Sequence, residues 1–487
     1  MITYDGFGRV ATVTDGAGNT LTYTYDLADR VTTAAYTGGP SPVTVTLTYD
    51  GAGNLRTQAD SSGTTTYAYD GLNLVISRTA TSGGGTLSYG YDADGTLTSV
   101  QDAGGSTAYV YDTRNLLGSL TDPEGNLSEF AYNAGGQRTT TWFNTDTTES
   151  AWSAKIVTSY DPGGRISRIQ ATENSAAPAT VSDVSYCYTR FVSGQACPTG
   201  TRTSDRSLLQ YSADSKTGTV SQYTYDGGNR LTKATNIGAT TYAYGYDSDG
   251  NLTTGAAAGT LSYNSGNQVS TAGHSYDGAG NLTADPASGA LSYTDAGQLA
   301  SAGNAGGNGT ENFAYAGATQ DQVLSDGTAA GITYGLAGQD GQPWAQSYTA
   351  HAAGGSTEPA YVLHDQQGTP LGMLRNGHAY AFVTDNLGSV THLIDTTGTT
   401  QAAYAYDPYG NQVSQTGGEA LFNLLGYTGA LTDPAPDQGA PSAGYTHLGN
   451  RWQNPATGSF TQQDNLNQLA NPANGNRYAY AADNPAN

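Results

Sequence analysis

Along most of this chain, large and small side chains alternate with a period of two. In Thr20-Leu21-Thr22-Tyr23-Thr24-Tyr25 the alternation puts Leu21, Tyr23 and Tyr25 on one face of a strand and the threonines on the other. The intervening segments, such as Asp50-Gly51-Ala52-Gly53-Asn54, Asp247-Ser248-Asp249-Gly250-Asn251 and Asp277-Gly278-Ala279-Gly280-Asn281, are made of residues that tolerate the positive φ of tight turns. One unit is therefore two short strands and two turns. Its most regular mark is a Tyr-Asp pair, with the tyrosine at 4, 25, 49, 69, 91, 111, 160, 225, 246, 276 and 406, spaced near 21 residues over the first six. Same-face doublets such as Tyr23/Tyr25, Tyr67/Tyr69, Tyr89/Tyr91 and Tyr109/Tyr111 predict a ladder of stacked phenol rings from unit to unit. A unit on its own buries little, so the units hold only when stacked. The predicted architecture is all-β: one long, spiralling antiparallel sheet with little helix, curved because its outer face carries mostly Gly, Thr and Ser.

Breaks in the rhythm divide the chain. Repeats run over 1–140, and an irregular insertion with Trp142, Trp152 and both cysteines fills 141–218. Repeats return over 219–300, become degenerate over 301–377, and give way to a distinct block over 378–487.

Composition changes this picture in three places. Only 37% of residues are hydrophobic and 12% charged, a poor supply for a core, but 36 tyrosines against 8 phenylalanines provide the missing buriable surface. A net charge of -23, from 18 basic and 41 acidic residues, repels phosphate backbones and argues against nucleic-acid binding. A close partner is expected to be basic or uncharged. No apolar stretch approaches a membrane span, and Met1-Ile2-Thr3-Tyr4-Asp5 has none of the regions of a signal peptide. Two cysteines, Cys187 and Cys197, with nine residues between them in a chain otherwise free of thiols, are read as a disulfide in an oxidising compartment, with two reduced buried thiols as the alternative.

The block after 378 carries ordered motifs: Asp385-Asn386-Leu387-Gly388-Ser389-Val390, Tyr406-Asp407-Pro408-Tyr409-Gly410 and Leu448-Gly449-Asn450-Arg451-Trp452. It continues with Asn454-Pro455-Ala456-Thr457-Gly458-Ser459-Phe460, Asn476-Arg477-Tyr478-Ala479-Tyr480 and Asp483-Asn484-Pro485-Ala486-Asn487. With the eleven Tyr-Asp pairs, these motifs resemble the RHS/YD-repeat family of bacterial polymorphic toxins, insecticidal toxin-complex proteins and teneurins, over nearly the whole chain. The block itself is similar to the RHS repeat-associated core domain.

The resemblance implies a hollow β shell, a cocoon, plugged at one end by the core domain and enclosing a C-terminal toxin cargo joined in cis. A shell-completing subunit or delivery apparatus is the implied partner, and a secreted or cell-surface setting the implied location. It further implies an aspartyl-type self-cleavage, for which two carboxylates of split pKa would share a proton. Arg451 and Asp464 match the family's Arg and first Asp. The second Asp, the scissile bond and the toxin are expected after Asn487, so the chain looks like a fragment that is inert as a peptidase by itself. Where the family has Arg-x-Tyr-Asp-Pro, Gly-Arg-Phe and Asp-Pro, this chain has Arg451-Trp452-Gln453-Asn454-Pro455, Gly458-Ser459-Phe460 and Asp464-Asn465, departures that count against self-cleavage and leave the fold untouched. The plainer reading of Asp464 is a turn carboxylate capping backbone amides.

Two readings stand beside the encapsulating shell: an adhesin whose rows of Tyr and Thr contact glycans, and, in a longer parent only, a self-cleaving aspartyl peptidase. Other chemistry finds no support. Asp92-Ala93-Asp94-Gly95 and Asp247-Ser248-Asp249-Gly250-Asn251 lack the closing Glu of a calcium loop and are explained as turns. The six histidines, at 274, 351, 364, 378, 392 and 447, are isolated in sequence, which argues against zinc. No phosphate-binding loop or nucleophile elbow occurs, so no cofactor is expected.

Overall fold

The computed structural model describes residues 1–82, 85–189, 207–237, 240–255, 257–303, 310–326, 329–337, 343–350, 358–432, 444–464 and 475–487. Among them, the strands from Ile2–Tyr4 to Thr240–Ala243 form a 21-stranded sheet, each strand pairing antiparallel with the next in sequence. A second meander of 14 strands runs from Ser275–Tyr276 to Gln412–Thr416, and a four-stranded sheet from Leu431–Thr432 to Ser459–Phe460 follows.

The Tyr-Asp pair has a mechanical role in each half. The aspartate closes the turn behind it: Asp50 Oδ1 accepts the backbone N–H of Ala52 and Asn54 at 2.9 and 2.8 Å, and Oδ2 accepts Asn54 Nδ2 at 3.0 Å. The fourth turn residue sits at positive φ, which is why Gly53 (φ 94°) and Asn73 (φ 63°) occupy that place. The tyrosine reaches sideways. Tyr69 Oη donates to the Leu55 carbonyl at 2.8 Å, Leu55 pairs with Tyr49, Tyr49 Oη donates to Val31 at 2.8 Å, Val31 pairs with Tyr25, and Tyr25 Oη donates to Val10 at 2.7 Å. Guanidinium groups lie over several of these rings, with Arg9 4.4 Å from the centroid of Tyr25 and Arg30 4.5 Å from that of Tyr49.

The ladder is thus built of hydrogen bonds and cations, not of rings stacked from unit to unit as the doublets predict. Among the described residues, ring contacts between repeat tyrosines fall within a doublet, as in Tyr23–Tyr25 at 6.2 Å and Tyr242–Tyr244 at 6.3 Å. An intervening strand keeps equivalent rings of neighbouring units about 10 Å apart, beyond stacking range.

The ribbon winds back onto itself. Gly39 N–H donates to Asp295, Gln320 to Asp60, Gln346 to Asp102, Arg138 pairs with Asp365, and Thr400 donates to Glu173, at sequence separations of 256, 260, 244, 227 and 227 residues. The contacts keep the same order along both segments, so one circuit takes roughly 20 strands. At about 4.8 Å per strand that is a circumference of about 95 Å, which closes a coil about 30 Å across.

Beyond residue 343 the second circuit slides beneath the first. Leu363, Leu374, Ala379, Ala381, Val383 and Ile394 pack against Phe143, Ala154, Ala171 and Val181 of the first circuit. The opposite faces of the same strands, with Val362, Met373, Tyr380, Phe382 and Leu393, pack toward Leu424, Leu425 and Trp452. Over 141–218 the ladder continues through Ala154–Tyr160, Ile166–Asn174 and Pro178–Cys187 with Tyr160-Asp161 as its one Tyr-Asp mark. Cys187 ends this run, buried and disulfide-bonded. Cys197 lies outside the described residues.

Candidate functional site

The motifs of the C-terminal block converge on one region, where the end of the chain is laid across the strands of residues 209–293. Tyr409 is its hub. It is 2% exposed, its hydroxyl meets Tyr246 Oη at 2.9 Å, and its ring meets Tyr244 edge-on at 5.1 Å. Gln453 Nε2 donates to the Tyr409 carbonyl at 3.0 Å, and Asn411 Nδ2 donates to the Pro455 carbonyl at 2.9 Å. The segment 454–460 passes so close that a Cβ at Gly458 (φ 69°) would stand 2.9 Å from the Tyr409 ring. Tyr427 Oη ties two motifs, donating to the carbonyls of Pro408 at 2.8 Å and Pro485 at 3.2 Å.

From this hub the tail follows the repeat turns. Asn487 Nδ2 donates to Tyr225 Oη at 2.9 Å and its Oδ1 accepts the Leu209 N–H at 2.5 Å. Asn476 Nδ2 donates to Asn251 Oδ1 at 2.9 Å, and Tyr478 Oη donates to the Gly280 carbonyl at 2.6 Å. Each contact uses a turn or phenol that the repeat already holds in place, so the wall is a preformed template for the tail.

Three carboxylates in this region are pushed upward by burial. Asp385 and Asp407 are raised to about 6, in each case by desolvation working against hydrogen bonds from their own turns. Asp483 is raised to about 7 by desolvation, with Arg230 opposing the rise and Asp226 and Asp247 adding to it. Asp483 also adopts positive φ (63°), as Asn73 and Asp29 do in the repeat turns.

Arg451 and Asp464 are brought together: Nη2 and Oδ2 lie 3.2 Å apart, both side chains partly exposed. Arg451 lies over the Phe460 ring at 3.7 Å, and burial moves its pKa below the usual arginine value. Arg477 completes a clasp, its carbonyl accepting from Arg451 Nη1 at 3.2 Å and from the Asp464 N–H at 2.9 Å. The arrangement orients one carboxylate on a guanidinium. Among the described residues no cluster of three metal-binding side chains occurs, and no helix is long and apolar enough to cross a membrane.

One anchor escapes the sequence pattern. Asp285 Oδ2 accepts from Tyr445 Oη at 2.9 Å and from Asn454 Nδ2 at 3.3 Å, tying the C-terminal sheet to the repeats. Its signal in the sequence is an aspartate that follows no tyrosine, in Thr283-Ala284-Asp285-Pro286.

Comparison with known proteins agrees with this geometry. The family model described as Teneurin YD-shell matches residues 1–189 and 209–486. No curated protein sequence matches the chain. Among solved structures, TcdB2-TccC3 without its hypervariable C-terminal region is similar at a TM-score of 0.75 and 17% identity, covering 100% of this chain and 27% of that one. TcdB2-TccC3 itself gives 0.73 at 17% identity, with 100% and 28% covered. A Tc holotoxin pore of Photorhabdus luminescens gives 0.57 at 14% identity, with 100% and 26% covered. The chain therefore spans little more than a quarter of the length of these relatives. By its repeats, its winding and the match over nearly its full length, the chain belongs to the teneurin YD-shell family.

Proposed function

We propose that this chain is an encapsulating shell of a delivered bacterial toxin, holding a polypeptide cargo joined in cis after Asn487. The observation that carries the reading is the course of the tail, in which Asn476 is hydrogen-bonded to Asn251, Tyr478 to Gly280 and Asn487 to Tyr225 of the wall. A chain continued from Asn487 would leave beside Tyr225 and Leu209 of the wall. The test is protease protection. An unstructured, protease-sensitive polypeptide fused after Asn487 is expected to survive a protease dose that destroys the free polypeptide, and to become sensitive once the shell is unfolded in denaturant. Equal cleavage of fused and free polypeptide overturns the reading, and saturable binding on a glycan array would favour adhesion instead.

The Arg451–Asp464 clasp is the part of this function closest to chemistry. In a longer parent supplying a second carboxylate, Asp464 would serve as one half of the self-cleaving pair, with Arg451 orienting it. Asp464→Asn in that parent is expected to abolish processing, and unchanged processing removes the role. The Cys187–Cys197 bond would brace the wall outside the cell, and a mass change on reduction of about 2 Da reports it.

A further inference from the structure

Where the second circuit meets the C-terminal sheet there is a cavity of about 190 Å³. Its polar lining brings Asp321, His364 and His447 together beside the Gln322 amide. Asp321 contributes a carboxylate that has no hydrogen-bond or ion-pair partner among the described residues. His364, 4% exposed, leaves Nδ1 buried without a partner. His447 lines the same cavity and leaves its Nε2 buried without a partner. Burial holds His364 down at about 3 and His447 at about 4, so at neutral pH both imidazoles are uncharged, and each takes the tautomer that leaves a lone pair on its unpartnered nitrogen when a donor enters the cavity.

The cavity also has a flat wall. Trp344 stacks on His364 with centroids 5.2 Å apart and planes 21° apart. Gly368 (φ 85°) presses its backbone against the indole, where any Cβ would collide, and this fixes the ring plane. Two of the donors that line it are already engaged, Tyr334 Oη with the Val323 carbonyl at 3.0 Å and Trp344 Nε1 with Gln346 at 3.4 Å, and Gln322 Oε1 accepts from Arg78.

A flat aromatic wall, a carboxylate without a partner and two neutral imidazoles ask for one kind of guest: planar, cationic and rich in N–H donors. We propose that this cavity is a binding site for a guanidinium head group. The chemistry is shared by a free alkylguanidine and by an arginine side chain of another polypeptide. It does not depend on the encapsulation reading, since a shell without this site and a site without cargo are both consistent molecules.

Calorimetry on the full chain at neutral pH tests the proposal with three probes: ethylguanidinium, its neutral isostere ethylurea, and the peptide Gly-Gly-Arg-Gly-Gly. Ethylguanidinium is expected to bind saturably at one site and ethylurea not to bind. Asp321→Asn should weaken the guanidinium by at least about tenfold, the scale of losing one hydrogen bond to a charged group. His447→Phe should weaken it similarly, and the two variants serve as independent checks provided each keeps the parent unfolding midpoint. Tighter binding of the peptide assigns the site to a polypeptide arginine, and tighter binding of ethylguanidinium to a free ligand. The proposal is overturned if neither guanidinium probe saturates at millimolar concentration, if ethylurea binds as well, or if both variants bind like the parent.

Discussion

The strand Val43–Tyr49 and the strand His378–Thr384 have the same length and opposite design. In the first, Val45 and Leu47 are buried while Thr44, Thr46 and Thr48 face solvent. In the second, Ala379, Tyr380, Ala381, Phe382 and Val383 are all buried, because the first circuit covers one face and the C-terminal block the other. A strand with one wet face can keep the period of two, and a strand covered on both faces must give it up. What reads along 301–377 as degenerate repeats includes the first two strands of this doubly packed layer, Pro359–His364 and Pro370–Arg375, in which polar alternation would bury threonine hydroxyls without partners.

The sharpest way to break the comparison is to place the same charge in both strands. Ala381→Asp buries a carboxylate against Phe143 and Val181 and is expected to cost about 4 kcal/mol or more. Thr46→Asp, on the exposed face, should cost under about 1 kcal/mol. Urea unfolding monitored by tryptophan fluorescence measures both, and similar losses would mean that the two strands are equally covered.

Ion pairs divide in the same way. Arg138 and Asp365 meet at 2.6 Å between the two circuits, with the Asp365 side chain 4% exposed. Arg9 and Asp5 meet at 2.7 Å within one turn, each about a quarter exposed. Arg138→Met strands a buried carboxylate and is expected to lose about 3 kcal/mol, while Arg9→Met should leave the unfolding midpoint nearly unchanged. Equal losses in urea midpoints would place the circuits too far apart for the pair to matter.

Carboxylates extend the contrast to pH. Asp26 is held below its usual range mainly by its hydrogen bond to Arg30, and Asp50 by its bond to Asn54, so their contribution is present above about 3.8 and lost as pH falls. Asp407 and Asp483, raised by burial to about 6 and about 7, favour the folded state while protonated; their contribution is complete below about 3.8 and lost as pH rises through 6 to 7. Asp102, whose turn abuts the second circuit, is raised for the same reason. Unfolding midpoints are therefore expected to fall between pH 5 and pH 7.5, and Asp483→Asn should flatten that slope. A parent profile with no fall over this interval contradicts the burial of these groups.

The two designs also explain what the sequence reveals. Strand period, turn chemistry and winding are legible because each unit encodes them locally: Asp at the turn entry, Gly or Asn at positive φ, Tyr at the strand end. The family pattern singles out Arg451 and Asp464, although Asn465 follows where Pro is usual, but it does not announce that the two side chains meet at 3.2 Å. The nesting of the circuits is not legible, because nothing in Gly104 announces that Tyr361 will lie against it. Neither is the grouping of His364 with His447, which are 83 positions apart in sequence and meet only because the second circuit and the C-terminal sheet face each other.

The smallest effect tests the ladder itself. Tyr49 donates its hydroxyl proton to the Val31 carbonyl, whereas Tyr111, at the equivalent place in its own unit, has a buried hydroxyl without a partner. Removing the oxygen from each separates the hydrogen bond from the ring. Tyr49→Phe deletes a bond that ties one unit to the last and is expected to cost about 1 kcal/mol. Tyr111→Phe removes a group that was desolvated for no return, so it should be neutral or slightly stabilising. If both substitutions cost the same, the phenol oxygens are incidental and the units cohere through ring packing alone; if only Tyr49→Phe costs, the link from hydroxyl to carbonyl is what sets one repeat against the next.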